Sequence, residues 1–454
     1  MQKFTDNSFF EAILLDDKKS YAKKESSIIG EKIEITLKEY QAKSPNNTFL
    51  SFFKDEEKRD SKNEDDLIIS IKKDGDSYHA QTGNYVGNFV WNGLEIDIQS
   101  RFSNVFLERM LNFANDIFLD DVSVSGKETT NDLDISRYIM YYMFVQNLEK
   151  AFLLGLPKAY RSVTHHEMKL KGKIDINLFI KNDIPFQGEV SSVSREQKEI
   201  QEIIDVLYKA VKVIDKSKKF STKNISHIKT HLKQFRSNKF VSNETIIKAT
   251  KSKALQNPIF SLYKKVLEYA KFIINDNNLE EKHDEKQETY GFLINVAELF
   301  EIYILKLLQK EFSDWYIESP KIPLYENQFF TRKIIPDVVM TKGNDVLVFD
   351  TKYKRMTMQG KNQHGAGDVD RNDFFQINTY MSYYHNKGLH VRAGGLLYPM
   401  EKFDKDQCHS SAWFENGSTK FIVDGIDLSK ENLAVEDIKS SENSFVTRIR
   451  DLLI

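Results

Sequence analysis

The sequence predicts a multidomain α+β protein: a mainly β N-terminal domain over residues 1–125, a mostly helical middle region with a strand pair over 126–284, and a C-terminal αβ domain with a mixed central sheet over 285–454. Three observations predict it. The chain has 454 residues, more than one hydrophobic core usually serves, so two or three domains are expected. Apolar residues alternate with period two in the first hundred positions and recur at helical spacing through the middle. Beyond residue 285 the two patterns interleave, as they do where helices cover a sheet.

Apolar content of 40% and charged content of 29% describe a soluble globular chain. Basic and acidic side chains nearly cancel, 65 against 67, so any nucleic-acid surface must be a local patch. Cys408 stands alone, which excludes an internal disulfide and a cysteine-built metal centre and fits a reducing cytoplasm. The run Met1-Gln2-Lys3-Phe4-Thr5-Asp6-Asn7 lacks the basic-then-apolar order of a secretory signal, so the cytoplasm is the expected location. Residues 138–156 are the most apolar stretch, but Gln146, Asn147, Glu149 and Lys150 interrupt it. A buried helix is expected there, not a membrane span.

In the N-terminal region, residues 32–37 alternate as a half-buried strand does, and 54–66 are so polar that they read as a loop. Residues 67–71 form a short strand. Residues 83–98 read as a β-hairpin whose strongest turn signal is Asn92-Gly93, with the basic Arg101 following. Helical periodicity covers 105–118 and 136–154, and Pro157 closes the second. Residues 163–170 and 173–179 alternate like strands around Gly172. Adjacent His165 and His166 on such a strand point to opposite faces, so no ion shared between them is expected. Residues 195–214, 224–235 and 259–274 read as helices. Lys216, Lys218, Lys219, Lys223, Lys229 and Lys233 make this region basic, a pattern that suits solvated helix faces and a DNA or partner contact alike. The charged, aperiodic run 276–288 is the expected linker into the C-terminal domain, which begins near Tyr290.

There, residues 297–305 read as a helix whose Phe300, Ile304, Leu307 and Leu308 recur at helical spacing and should face the sheet. Residues 334–340 and 346–349 are apolar runs flanking Lys342-Gly343-Asn344-Asp345, so they should pair as an antiparallel hairpin. Asp337 lies in the first strand, just after Pro336, and Asp350, Thr351 and Lys352 end the second. Strand residues two apart share a face, so Asp350 and Lys352 point together while Thr351 turns away. With Asp337 across the hairpin, two carboxylates and one ammonium converge. Such a point suits Mg²⁺, which is usually held by one or two carboxylates plus water and phosphate oxygens. Lys352 would polarise the attacking water or stabilise charge on a phosphodiester. The same short pattern also suits a hairpin ending in solvated charges.

After the hairpin, residues 356–371 carry several glycines and His364, with little to bury, and read as a mobile loop over the site. Asp373, Gln376 and Tyr380 lie three and four apart on one helical face. Residues 394–399 and 421–428 read as strands that complete the sheet. No Walker-type nucleotide motif occurs in the chain.

Pro336-Asp337 followed by Asp350-Thr351-Lys352 resembles the signature of the PD-(D/E)xK nuclease superfamily. The order Phe300-Glu301, Pro336-Asp337, Asp350-x-Lys352, Asp373-x-x-Gln376-x-x-x-Tyr380, Leu397-Tyr398-Pro399 is similar to one family within it. That family is McrC, the nuclease subunits of McrBC-type and LlaJI-type restriction systems. The likeness covers the last third of the chain well and earlier parts loosely, including Gly172-Lys173-Ile174-Asp175.

The resemblance implies a PD-(D/E)xK nuclease-like C-terminal domain that cuts DNA with Mg²⁺. Asp337, Asp350 and Lys352 would be catalytic, with Glu301 as a further acid. Asp337, Asp350 and the backbone carbonyl of Thr351 would hold the metal. Gln376, Tyr380, Lys354 and Arg355 would support the site or contact DNA, the last two within a basic cluster that also includes Lys361. It implies as well a separate McrB-type AAA+ GTPase partner, on which the N-terminal β region docks and whose hydrolysis it stimulates. In the family, methylcytosine recognition belongs to that partner. Two other readings stay open: a regulatory or scaffolding subunit with an inactive nuclease site, and a stand-alone DNA-repair nuclease.

Overall fold

The computed structural model describes residues 2–13, 32–43, 49–50, 67–74, 77–91, 94–114, 135–217, 220, 222–281, 289–325, 332–354, 369–401, 409–414 and 416–453. Within them the chain is a multidomain α+β protein with a helical middle and a mixed C-terminal sheet. It divides into two compact units, residues 1–122 with 286–454, and residues 123–285.

The alternating N-terminal segments form β1 (Gln2–Thr5), β2 (Phe9–Ile13), β3 (Lys32–Thr36), β4 (Phe49–Leu50), β5 (Leu67–Asp74), β6 (Ser77–Thr82), β7 (Tyr85–Trp91) and β8 (Leu94–Gln99). Strand β3 stops one residue short of the expected 37, because Thr36 opens helix α1 (Leu37–Lys43). The Thr36 hydroxyl accepts from the Glu39 amide and the Glu39 carboxylate from the Thr36 amide, both at 3.3 Å. One four-stranded antiparallel sheet runs β2-β6-β5-β3. Strands β7 and β8 pair with Trp91 opposite Leu94, and their Asn92-Gly93 turn lies outside the described residues. Helix α2 (Asn104–Ala114) follows, burying Phe106, Leu107, Met110, Leu111 and Phe113. The loop expected at 54–66 lies outside the described residues.

The second unit contains α3 (Ile135–Phe152), β9 (Lys158–Glu167), β10 (Lys173–Ile174), α4 (Ile176–Asn182), β11 (Val190–Glu199), α5 (Gln201–Ser217), α6 (Ser226–Phe235), α7 (Asn243–Thr250) and α8 (Leu262–Glu281). Three expectations need correcting. Residues 176–179 are helical, because the Asp175 carboxylate accepts from the Asn177 and Leu178 amides at 3.1 Å and caps α4. Residues 195–199 are strand, because β11 pairs with β9 along its whole length, from Val190 opposite Glu167 to Glu199 opposite Lys158. Helix α8 runs to Glu281, through much of the stretch expected as a linker, while 282–288 lie outside the described residues. The two strand histidines have different partners: His166 bonds Asp183 at 2.7 Å, and His165 bonds Ser194 at 2.8 Å. Among the described residues, no helix is long and apolar enough to cross a membrane.

The chain then returns through β12 (Thr289–Asn295), where the C-terminal domain was expected to begin. This strand instead completes the N-terminal sheet, antiparallel to β7 and parallel to β4, in the order β1-β8-β7-β12-β4. Asn295 caps α9 (Val296–Glu311), accepting from Ala297 N at 3.0 Å and Glu298 N at 3.3 Å. Phe300, Ile304, Leu307 and Leu308 are all buried.

There follow β13 (Tyr316–Glu318), β14 (Ile322–Tyr325), β15 (Arg332–Ile334), β16 (Val338–Lys342), β17 (Asp345–Thr351), α10 (Arg371–Asn386), β18 (His390–Met400), β19 (His409–Trp413), β20 (Asn416–Asp427) and α11 (Val435–Asp451). The six-stranded sheet is ordered β13-β16-β17-β18-β20-β19. It is mixed: β16 and β17 form the antiparallel hairpin, while β18 runs parallel to both β17 and β20. Val348, Ile377, Met381 and Leu396 belong to its core. A buried bidentate pair ties the two parts of this unit together. Arg109 of α2 donates to Glu442 of α11 through Nε at 2.9 Å and Nη2 at 2.7 Å, and Tyr303 of α9 donates to the same carboxylate at 2.8 Å.

Candidate active site

The hairpin turns where the sequence places it. Lys342 faces Asp345 across the register, and Gly343 takes φ +61, a conformation open to glycine at little cost. At the far end, Asp337 is not within a strand: β16 begins one residue later, at Val338. Proline has no amide hydrogen for the ladder, so the strand starts only after Pro336-Asp337. Register places Val338 opposite Phe349, and hence Asp337 beside the end of β17. There its Oδ2 accepts from the Thr351 amide at 2.8 Å and from Thr351 Oγ1 at 2.9 Å. Thr351 therefore does not turn away from the first acid. Asp337 lies off the strand, where the pleat no longer dictates its side, so its carboxylate reaches the edge of Thr351.

Asp350 is 2% exposed. Burial, the neighbouring Asp337 charge and more weakly Asp373 push its carboxyl up to about 7, against the opposing pull of Lys352. The Lys352 ammonium lies 2.7 Å from Asp350 Oδ2 and 3.5 Å from Asp373 Oδ1. Burial disfavours its charge, but Asp350, Asp373 and Asp337 outweigh that and raise its pKa, so Lys352 stays a cation. Its backbone is fixed too, the amide donating to Leu397 O at 2.8 Å.

Helix α10 supplies the other wall. Its N-cap Asp370 accepts from the Asn372 and Asp373 amides, which sets the helix start. Lys352 donates to Gln376 Oε1 at 3.0 Å, and Gln376 Nε2 donates to the Tyr380 hydroxyl at 2.7 Å. Lys354 lies 2.5 Å from Asp373 Oδ2 and 3.5 Å from Asp370. Asp373 thus bridges both lysines, a role the sequence reading missed. The available signal was its place three residues before Gln376, on the face that meets Lys352. Glu301 is half-buried on α9 and is not among the charges that bear most on Asp350. Arg355, Lys361 and His364 lie outside the described residues.

Among the described residues, no group of three or more His, Cys, Asp or Glu side chains is arranged to hold a metal ion. The donors gathered here are hard oxygens, the carboxylates of Asp337 and Asp350. That set fits Mg²⁺, which takes few protein ligands and fills its shell with water or phosphate oxygens. A buried carboxyl crowded by a second acid is also a place where a cation relieves repulsion.

A family model described as "McrBC 5-methylcytosine restriction system component" matches residues 80–399. No curated protein matches the chain. Among solved structures, the chain is similar to one from a refined half-complex of the tetradecameric assembly of Thermococcus gammatolerans McrB AAA+ hexamers with bound McrC. The TM-score is 0.56 at 14% identity, covering 99% of each chain, which makes the likeness one of fold. A cryo-EM structure of the Thermococcus gammatolerans McrBC complex matches at a TM-score of 0.35 and 14% identity, over 68% of this chain and 87% of that one, and carries no weight.

Proposed function

The chain belongs to the McrBC restriction-system component family, and from that premise we propose that it is the DNA-cutting subunit of such a system. In this reading it hydrolyses phosphodiesters with Mg²⁺ when assembled with, and driven by, an McrB-type AAA+ GTPase whose hydrolysis it stimulates. The structural neighbour with McrB hexamers and bound McrC supports the choice of partner.

The observation that carries the reading is Asp350, buried against a second acid with an ammonium 2.7 Å away. Such a cluster opposes folding, and perturbed groups of this kind concentrate where chemistry needs them. Asp337 and Asp350 hold the metal, with the Thr351 carbonyl as a backbone donor. When bound, Mg²⁺ lowers the pKa of a coordinated water and offsets charge on the phosphate. The Thr351 amide and hydroxyl orient Asp337. Lys352, aimed by Gln376 and Tyr380, sets a fixed positive charge where the pentacovalent phosphate gathers negative charge.

The test compares wild type with Asp350→Ala in DNA cleavage with the AAA+ partner, GTP and Mg²⁺. A loss of about 10³-fold is expected. Unchanged cleavage removes the assignment. Normal phage restriction by an Asp350→Ala strain would instead favour a regulatory subunit, and robust cleavage with neither partner nor nucleotide a stand-alone nuclease.

A further inference from the structure

Arg101 leaves the N-terminal sheet just past β8, yet its guanidinium lies against the residue that follows Lys352. Its backbone amide is pinned by Asp6, which accepts at 2.6 Å. The side chain, 2% exposed, donates through Nη2 to the Tyr353 carbonyl. The guanidinium sits 4.9 Å from the centre of the Phe102 ring and 4.7 Å from that of Tyr353. Its Nε approaches Glu401 at 3.5 Å and Asp6 at 4.0 Å. Tyr353 is itself buried, its ring edge-on to Phe102 at 5.8 Å and tilted against Phe300 of α9 at 5.9 Å.

Burying a guanidinium is expensive unless its hydrogen bonds and charge find close partners. Here Glu401 and Asp6 lie at ion-pair distance and balance the charge, while the hydrogen-bond partner of Nη2 is a backbone carbonyl one residue from Lys352. A planar, rigid donor fixes the direction of that carbonyl in a way a flexible ammonium does not. The segment is thereby held on two sides: Lys352 N on Leu397 O, and Tyr353 O on Arg101.

We propose that Arg101 is a positioning residue: it locks the backbone after Lys352, so that the N-terminal sheet sets where the Lys352 ammonium stands over Asp350. The effect on cleavage rests on the nuclease reading; the effect on the backbone does not. Small displacements of a catalytic group are enough to cost turnover, so a locked backbone has kinetic consequences.

The experiment uses the full chain with its AAA+ partner and the variant Arg101→Met. Hydrogen exchange at the Lys352 amide should quicken about tenfold, while exchange in β1 and β8 stays the same. Turnover on saturating DNA should fall about tenfold with KM within about twofold. Added to Lys352→Ala, Arg101→Met should cost under about twofold more, since it acts through that side chain. Unchanged exchange at Lys352, or fully additive losses in the double variant, overturns the proposal. If Arg101→Met does not fold, Phe102→Leu removes one face of the stack and is read by the same measurements and criteria. If wild type cleaves nothing under any condition, the nuclease reading fails, and the exchange result alone decides whether Arg101 holds the segment.

Discussion

Asp350→Asn turns the acid that matters most to the site into a group that does not titrate. In metal-free protein the Asp350 carboxyl is pushed up to about 7, by burial first and the Asp337 charge second. The same carboxyl in the unfolded chain titrates near 4. Between those values the folded protein holds a proton that the unfolded chain has already released. Stability contributed by this group is therefore full below about pH 4 and falls as pH rises, levelling off above about 7. At about 1.4 kcal/mol per pH unit over about three pH units, the loss reaches about 4 kcal/mol at most. Urea unfolding with chelator at about pH 4.5 and about pH 7.5 reads it: wild type should lose stability relative to Asp350→Asn by up to that amount. Adding Mg²⁺ should close the gap by stabilising wild type selectively. A wild-type-to-variant difference that is the same at both pH values, or equal stabilisation of both proteins by Mg²⁺, refutes the reasoning.

Three further outcomes follow from the same contacts. Thr351→Val keeps the amide donor to Asp337 but removes the hydroxyl, so Mg²⁺ affinity, read by titration calorimetry, should weaken about 10-fold or more. Lys352→Met should retain Mg²⁺ binding while cleavage falls about 10²-fold or more, and equal loss of both would deny Lys352 a role in turnover. Arg109→Leu strands Glu442 as a buried, half-partnered charge. It should cost about 3–5 kcal/mol in denaturant unfolding, and the double variant with Glu442→Leu should recover much of it.

The hairpin was legible because its signals are local. Gly343 and Asn344 need no distant partner to mark a turn, and the runs on either side are apolar at strand length. The facing of Gln376 and Tyr380 was likewise readable from spacing along one helix. What escaped the sequence depends on partners far along the chain or on a cap that overrides periodicity. Residues 176–179 alternate like a strand until Asp175 caps a helix over them. Residues 195–199 merge without a glycine or proline into the helix at Gln201, and only pairing with β9 marks them as strand. Asp373 shares a legible helical face with Gln376, but the two lysines it meets come from another element, and Arg101 meeting Tyr353 is a product of tertiary packing with no local trace.

The return of β12 to β7 also sets an order of events during synthesis. The inner edge of β7 finds its partner only when residues 289–295 leave the ribosome, about 200 positions after Trp91. Until then a nascent chain shows an open row of amides and carbonyls, the kind of edge that recruits strands from other molecules. A product that stops short of residue 289 keeps that edge permanently, so premature termination should yield insoluble material and not a soluble N-terminal fragment.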